Sequence, residues 1–217
     1  MLRSEDLSEI TDGKKYGLND MVRADAMGCK GCSKCCETMA DTIVLGPIDI
    51  YRLSRATKMD FNGLLAGSIE LNMQDGIILP NIKSSAGGCV FLKDKRCSIH
   101  SERPDFCRLF PIGRLYENGD FTYILQVNEC EMPRSKVKVK KWIDTPDYDK
   151  NAAYIIKWHD IITGVREKVC QGLESSKSLL MMVLKVFYQD PYDMNRDFYE
   201  QFNARVDIFE EFINNGI

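Results

Sequence analysis

No stretch of this sequence stays apolar for long. Its longest run, Leu179 to Leu184, falls far short of the roughly 20 residues a membrane-spanning helix needs. Neither sign of charge dominates. The 29 Lys and Arg against 32 Asp and Glu leave a net of −3, which removes the global basic field of a nucleic-acid binder. Met1 to Asp12 is charged and lacks the apolar centre of a secretory signal. These absences lead to the expectation of a cytoplasmic protein with no membrane and no nucleic-acid partner, in a compartment that keeps thiols reduced. Histidine is scarce, with only two residues. His100, three residues after Cys97, reads as a hydrogen-bonding neighbour more than a ligand, and His159 reads as a plain helix-face residue. No HExxH helix, Ser–His–acid pattern or internal repeat stands out.

Cysteine is the residue in excess. There are nine, and eight fall between Cys29 and Cys130. An odd total without an export signal argues against a disulfide framework and for metal ligation. Cys29, Cys32, Cys35 and Cys36 form a C-x2-C-x2-C-C run, and three thiols at every third position can wrap one corner of a cuboidal cluster. Gly28 and Gly31 suit a loop that turns tightly and leaves amides free to face sulfur. Adjacent Cys35 and Cys36 cannot easily aim at one target, so one of them takes a second role. The expected centre is a [4Fe–4S] iron–sulfur cluster held by Cys29, Cys32, Cys35 and one distal cysteine. Cys89, Cys97, Cys107 and Cys130 form a second group, and all eight are candidate ligands for one site or two. Zinc is the rival, because it needs only four tetrahedral sulfur or nitrogen donors. A centre of four thiolates is negative, and Arg96, Arg103 and Arg108 stand close enough in sequence to offset it. Cys170, alone on a helix, reads as core.

The expected fold class is α+β: a small irregular metal-cluster domain of short strands and helices, followed by a C-terminal helical bundle. The boundaries are an irregular lead-in (1–24), the cysteine domain (25–130), a basic linker or edge strand (131–145), and three helices packed on the first domain (146–217). Within the cysteine domain a helix starts at Pro47, a second is capped by Asp60, and Ile77 to Leu79 is a strand ended by Pro80. Cys89 to Leu92 and Arg96 to Ile99 form a hairpin, and Asp120 to Val127 follows a turn at Asn118-Gly119 as another strand. From Thr145-Pro146 on, apolar residues recur at helical spacing through Ile213. Arg134 to Lys141 sets five cations among valines, which reads as a charged edge or solvated linker. The acidic residues after Asp190 offer it an internal partner.

Cys29-x2-Cys32-x2-Cys35-Cys36, then Cys89-x-Phe-Leu, Cys97-x-Ile and Arg103-Pro-x-x-Cys107-Arg108-x-Phe110-Pro111, resemble the YkgJ-type cysteine-cluster family over roughly residues 25 to 130. That resemblance implies a zinc- or iron-chelating domain. It also implies an alternative activity, a lysine N-methylase dependent on S-adenosylmethionine that acts on a protein such as flagellin. No Gly-rich loop after a strand offers a Rossmann-like cradle for such a cofactor. A zinc-stapled interaction module is the third reading.

Overall fold

The computed structural model describes residues 7–25, 32–86, 88–130, 135–172 and 176–215. Cys29, Gly28, Gly31 and Arg134 lie outside these ranges. The fold is mixed α+β, with short antiparallel strand pairs and a helical C-terminal part.

The chain begins with a helical turn, α1 (Leu7–Ile10), and a strand, β1 (Met21–Asp25). A short helix, α2 (Lys34–Thr38), carries Cys35 and Cys36. Next come α3 (Pro47–Thr57) and α4 (Phe61–Gly67). Pro47 opens α3, where its missing N–H leaves no helical bond unmade. Asp60 caps α4 by accepting from the Gly63 amide at 2.8 Å. Strands β2 (Ile69–Gln74) and β3 (Ile77–Ile82) form a hairpin. Pro80 does not end β3 but pairs with Leu71 inside it. A two-stranded ladder has open edges that tolerate proline, and the Pro80 carbonyl still accepts from the Leu45 amide at 2.8 Å.

Four very short strands follow: β4 (Ser84–Ser85), β5 (Gly88–Cys89), β6 (Leu92–Lys93) and β7 (Arg96–Cys97). The expected hairpin exists as β6 with β7, turning at Asp94 and Lys95, but Cys89 pairs with Ser84 instead. Then come α5 (Asp105–Leu109), β8 (Ile112–Glu117) and β9 (Asp120–Leu125), the last two joined by the expected Asn118-Gly119 turn. Strand β10 (Ser135–Lys138) and α6 (Val139–Ile143) precede the long helices α7 (Tyr148–Cys170), α8 (Ser176–Leu184) and α9 (Phe198–Asn214). A π turn over Lys185–Gln189 extends α8. Arg205 donates from Nη1 to the Asp190 carbonyl at 2.8 Å and from Nη2 to that of Pro191 at 2.9 Å.

Two clusters of side chains hold this together. The larger one unites Leu45, Leu53, Leu64, Ile69 and Ile82 with Phe187, Phe202 and Phe209. Each such side chain contributes roughly 1.5–3 kcal/mol by leaving water. The Tyr188 hydroxyl donates to the Leu45 carbonyl at 3.0 Å, and the Tyr154 hydroxyl accepts from the Ile48 amide at 3.3 Å. These bonds tie the C-terminal helices to the start of α3. The smaller cluster gathers Val22, Ala24, Leu109, Ile112, Tyr123, Leu125, Val139 and Ile143.

Several expectations need correction. The lead-in is not wholly irregular: β1 pairs antiparallel with β10, placing Val22 opposite Val137. The basic run is therefore an edge strand, with Lys136 and Lys138 exposed, that continues into α6. Among the described residues no ion pair joins its cations to the acidic tail. Asp197 pairs with Lys150 at 3.1 Å and Glu210 with Lys157 at 2.6 Å, both on α7. Cys170 is exposed. It stands five positions beyond buried Val165, a rotation of about 140° off that face of the helix. His159 is more than a face residue, since its ring stacks on Tyr116 of β8 at 3.8 Å. Among the described residues no helix is long and apolar enough to cross a membrane.

Candidate metal centre

Four elements deliver the thiols. Helix α2 presents Cys35 and Cys36, β5 ends in Cys89, β7 ends in Cys97, and α5 carries Cys107. Gly88 allows one of these approaches. It has φ +100°, and a Cβ built there would meet the Cys36 carbonyl oxygen at 2.5 Å and Glu37 Cα at 2.6 Å. Only a residue without a side chain lets β5 lie so near the backbone of α2.

Cys35, Cys89, Cys97 and Cys107 perturb one another in all six pairings. Burial pushes the Cys107 thiol far up, and the neighbouring Cys89, Asp49, Cys97 and Cys35 add to it. Burial also raises Cys89 and Cys97. Against this, backbone amides donate to two of the sulfurs. Cys89 accepts from Phe91 and Leu92, and Cys97 accepts from Ile99. Amides aimed at sulfur favour the thiolate and orient it for a metal. At Cys35 the largest influence is the Cys36 thiol, which donates to it and draws it down to about 7. Cys36 is correspondingly held protonated. Cys36 and Cys35 are therefore the strongest influence on one another.

Other sequence candidates are placed differently. Cys32 and Cys130 are half-buried and are not among the groups that most strongly perturb the four. Cys29 is outside the described residues. Arg103 draws the Cys97 thiol down. Its Nη1 also donates to the His100 carbonyl at 3.1 Å and lies 3.2 Å from that ring. Burial, then Arg103, pushes the His100 pKa down, so the ring stays neutral. Arg108 directs its guanidinium to backbone carbonyls: Ser101, Asp144 at 2.8 Å, and Arg103 at 3.2 Å. It staples the loop before α5. Arg96 is exposed on β7.

Sequence reasoning overlooked a buried ionic array beside Cys107. Asp49 and Arg52 of α3, at 3% and 6% exposure, are joined by Asp105 and Arg108 of α5, at 7% and 5%, and by Arg114 of β8. Asp105 Oδ2 accepts from Arg114 Nη1 at 2.5 Å, which with Arg52 and Arg108 holds the Asp105 carboxyl below its ordinary value despite burial. Burial and the Asp105 charge raise Asp49 to about 6. The only sequence signal was an Asp and an Arg three apart amid the apolar residues of α3.

The donor set suits a thiophilic metal: four mutually neighbouring thiols, three amides on two of them, and a glycine that permits the approach. Among the described residues no three His, Cys, Asp or Glu stand closely enough as placed to hold one ion. The four thiols are gathered but not drawn onto a single point.

Comparison with known proteins agrees with this donor chemistry. Residues 28–130 match the model of the CxxCxxCC family, described as a "Putative zinc- or iron-chelating domain". An uncharacterized protein of Methanocaldococcus jannaschii is 25% identical over 162 residues, covering 74% of this chain and 85% of its own. No solved structure matches.

Proposed function

We propose, on the premise that residues 28–130 belong to the CxxCxxCC family of metal-chelating domains, that this protein holds one iron–sulfur cluster through Cys35, Cys89, Cys97 and Cys107. Metal binding is supported by the family's description as a "Putative zinc- or iron-chelating domain". The ligand set rests on the mutual neighbourhood of those four thiols. The choice of iron–sulfur rests on an all-thiolate donor set, the usual one for such clusters, to which the C-x2-C-x2-C run supplies Cys35. Bound there, a cluster supplies a one-electron redox centre.

The chain's own groups have separable tasks. Phe91, Leu92 and Ile99 lend amides that steady the Cys89 and Cys97 sulfurs. Cys36 donates to Cys35 and leaves it the better ligand of the pair. Arg103 adds positive charge on the Cys97 side, where a thiolate centre is negative. Half-buried Cys107 packs against the larger core cluster.

Four thiols are also a structural zinc set, so the metal is settled by isolating the protein anaerobically. A brown protein with a broad absorption near about 400 nm and iron with acid-labile sulfide supports the cluster. A colourless protein with stoichiometric zinc overturns it. Cys107→Ser is expected to lose the metal and much stability with it, because thiolate binding energy is folding energy.

A further inference from the structure

Asp49 lies on α3 and is no neighbour of any cysteine in sequence, yet it joins three parts of the centre's support. Its Oδ2 accepts from the Gly46 amide at 2.9 Å, fixing the start of its own helix. Its Oδ1 accepts from the Asp105 amide at 2.8 Å, at the first residue of α5. Cys107 follows two residues later and feels the Asp49 charge directly. A helix as short as α5 has almost no stability of its own, so its placement depends on such anchors. Arg114 holds the Asp105 side chain, Arg108 staples the loop before it through the Ser101 and Arg103 carbonyls, and Asp49 takes its backbone.

The array is costly for a merely structural device. Arg52 Nη1, Asp105 Oδ1 and Arg114 Nε are buried without a hydrogen-bond partner. An apolar contact would hold two helices with less strain on desolvation. Three arginines, Arg52, Arg108 and Arg114, against two carboxylates, Asp49 and Asp105, leave one surplus positive charge in this buried patch. That surplus suits a neighbour whose thiolates are negative.

We propose that Asp49 is the positioning residue of the metal centre: by accepting the Asp105 amide it seats α5 and so brings Cys107 to the other three thiols. The inference rests on the metal reading above. Asp49→Asn keeps the size but turns an NH2 group toward one of the two amides. It is compared with wild type, with Cys107→Ser, and with Leu179→Ala in α8 as a control for plain destabilisation, at a temperature where each is folded by circular dichroism. Asp49→Glu carries the test if the Asn variant does not fold.

Two readouts are taken. With cobalt(II) as the probe metal, the thiolate-to-cobalt charge-transfer intensity counts bound thiolates. In metal-free protein, the alkylation rate of Cys107 is followed by mass spectrometry. With cobalt(II) added in excess, Asp49→Asn should lose at least one thiolate's share of the wild-type intensity, as Cys107→Ser does, should release metal to a chelator about 10–100-fold faster than wild type, and should expose Cys107 to alkylation. Leu179→Ala should do none of these. A wild-type four-thiolate spectrum and wild-type Cys107 protection in Asp49→Asn would overturn the inference while leaving the metal reading intact. A wild-type protein that takes up neither cobalt, zinc nor iron would overturn both.

Discussion

Replacing Gly88 by alanine tests whether the approach of β5 to α2 builds the centre. The new Cβ would begin 2.5 Å from the Cys36 carbonyl oxygen, against an ordinary contact of 3.4 Å or more. One backbone must therefore retreat by about 0.9 Å, the difference between those two distances. The atoms in the way belong to the main chain of α2, which cannot swing aside as a side-chain tip does. Holding alanine at φ +100° adds backbone strain of about 1–3 kcal/mol, and relieving the overlap adds about 1–3 kcal/mol. Together they make about 2–6 kcal/mol, a large part of the roughly 5–15 kcal/mol that holds a domain folded. Metal ligation is less forgiving still, since ligand distances hold to about 0.2 Å. Gly119→Ala is the matched control. It too has positive φ, at +76°, but nothing lies within 4 Å of its Cβ, so only a conformational cost of about 1–2 kcal/mol applies. Metal content by elemental analysis and thermal melting are measured for both. Gly88→Ala is expected to lose most of its metal and melt well below Gly119→Ala. Equal metal content and equal melting temperatures would show that the β5–α2 approach does not form the centre.

Three further perturbations separate the site from the scaffold. Single Cys→Ser changes at positions 35, 89 and 97 should each remove the metal, whereas Cys170→Ser, at an exposed thiol, should leave metal content and melting unchanged. Loss of metal in the Cys170 variant would refute the ligand assignment. Asp60→Ala removes the cap on α4 and should cost about 1 kcal/mol in urea unfolding with metal content intact. Asp197 caps α9, accepting from the Glu200 amide and the Lys150 ammonium. Slight burial opposes these contacts, but they outweigh it and hold the carboxyl below its ordinary 3.8. A lowered folded-state pKa stabilises above the unfolded value and fades as pH falls through the folded one. Asp197→Ala should therefore cost about 1 kcal/mol near neutrality, and the gap to wild type should close below pH 3.8. A gap that persists at lower pH would place the contribution elsewhere.

Local chemistry was legible wherever it acts within a few residues. Pro47 and Asp60 marked two helix starts because each bears on its own first turn. Asn118-Gly119 marked a hairpin because both positions need positive φ. The apolar spacing from Tyr148 to Ile213 marked three helices. What lay hidden depends on partners far along the chain. Met21–Asp25 is a strand because Ser135–Lys138 lies beside it, and nothing near residue 21 announces that. Cys89 pairs with Ser84 and stays out of the β6–β7 hairpin, a division that a short apolar run does not reveal. Asp49 looked like an ordinary polar residue on an amphipathic helix, since its role depends on a helix 56 positions away.

Residue types and spacing, taken alone, established that thiols are this chain's distinguishing chemistry and that a metal is their natural ligand. The C-x2-C-x2-C-C run and the later cysteines carry that conclusion without coordinates, because affinity for soft metals belongs to sulfur itself. Which thiols meet was decided only in three dimensions. Gly88 lets the backbone of β5 lie against that of α2, and Asp49 accepts from the amide that opens α5. Those are contacts between distant segments, and they come into being only when the chain has closed on itself.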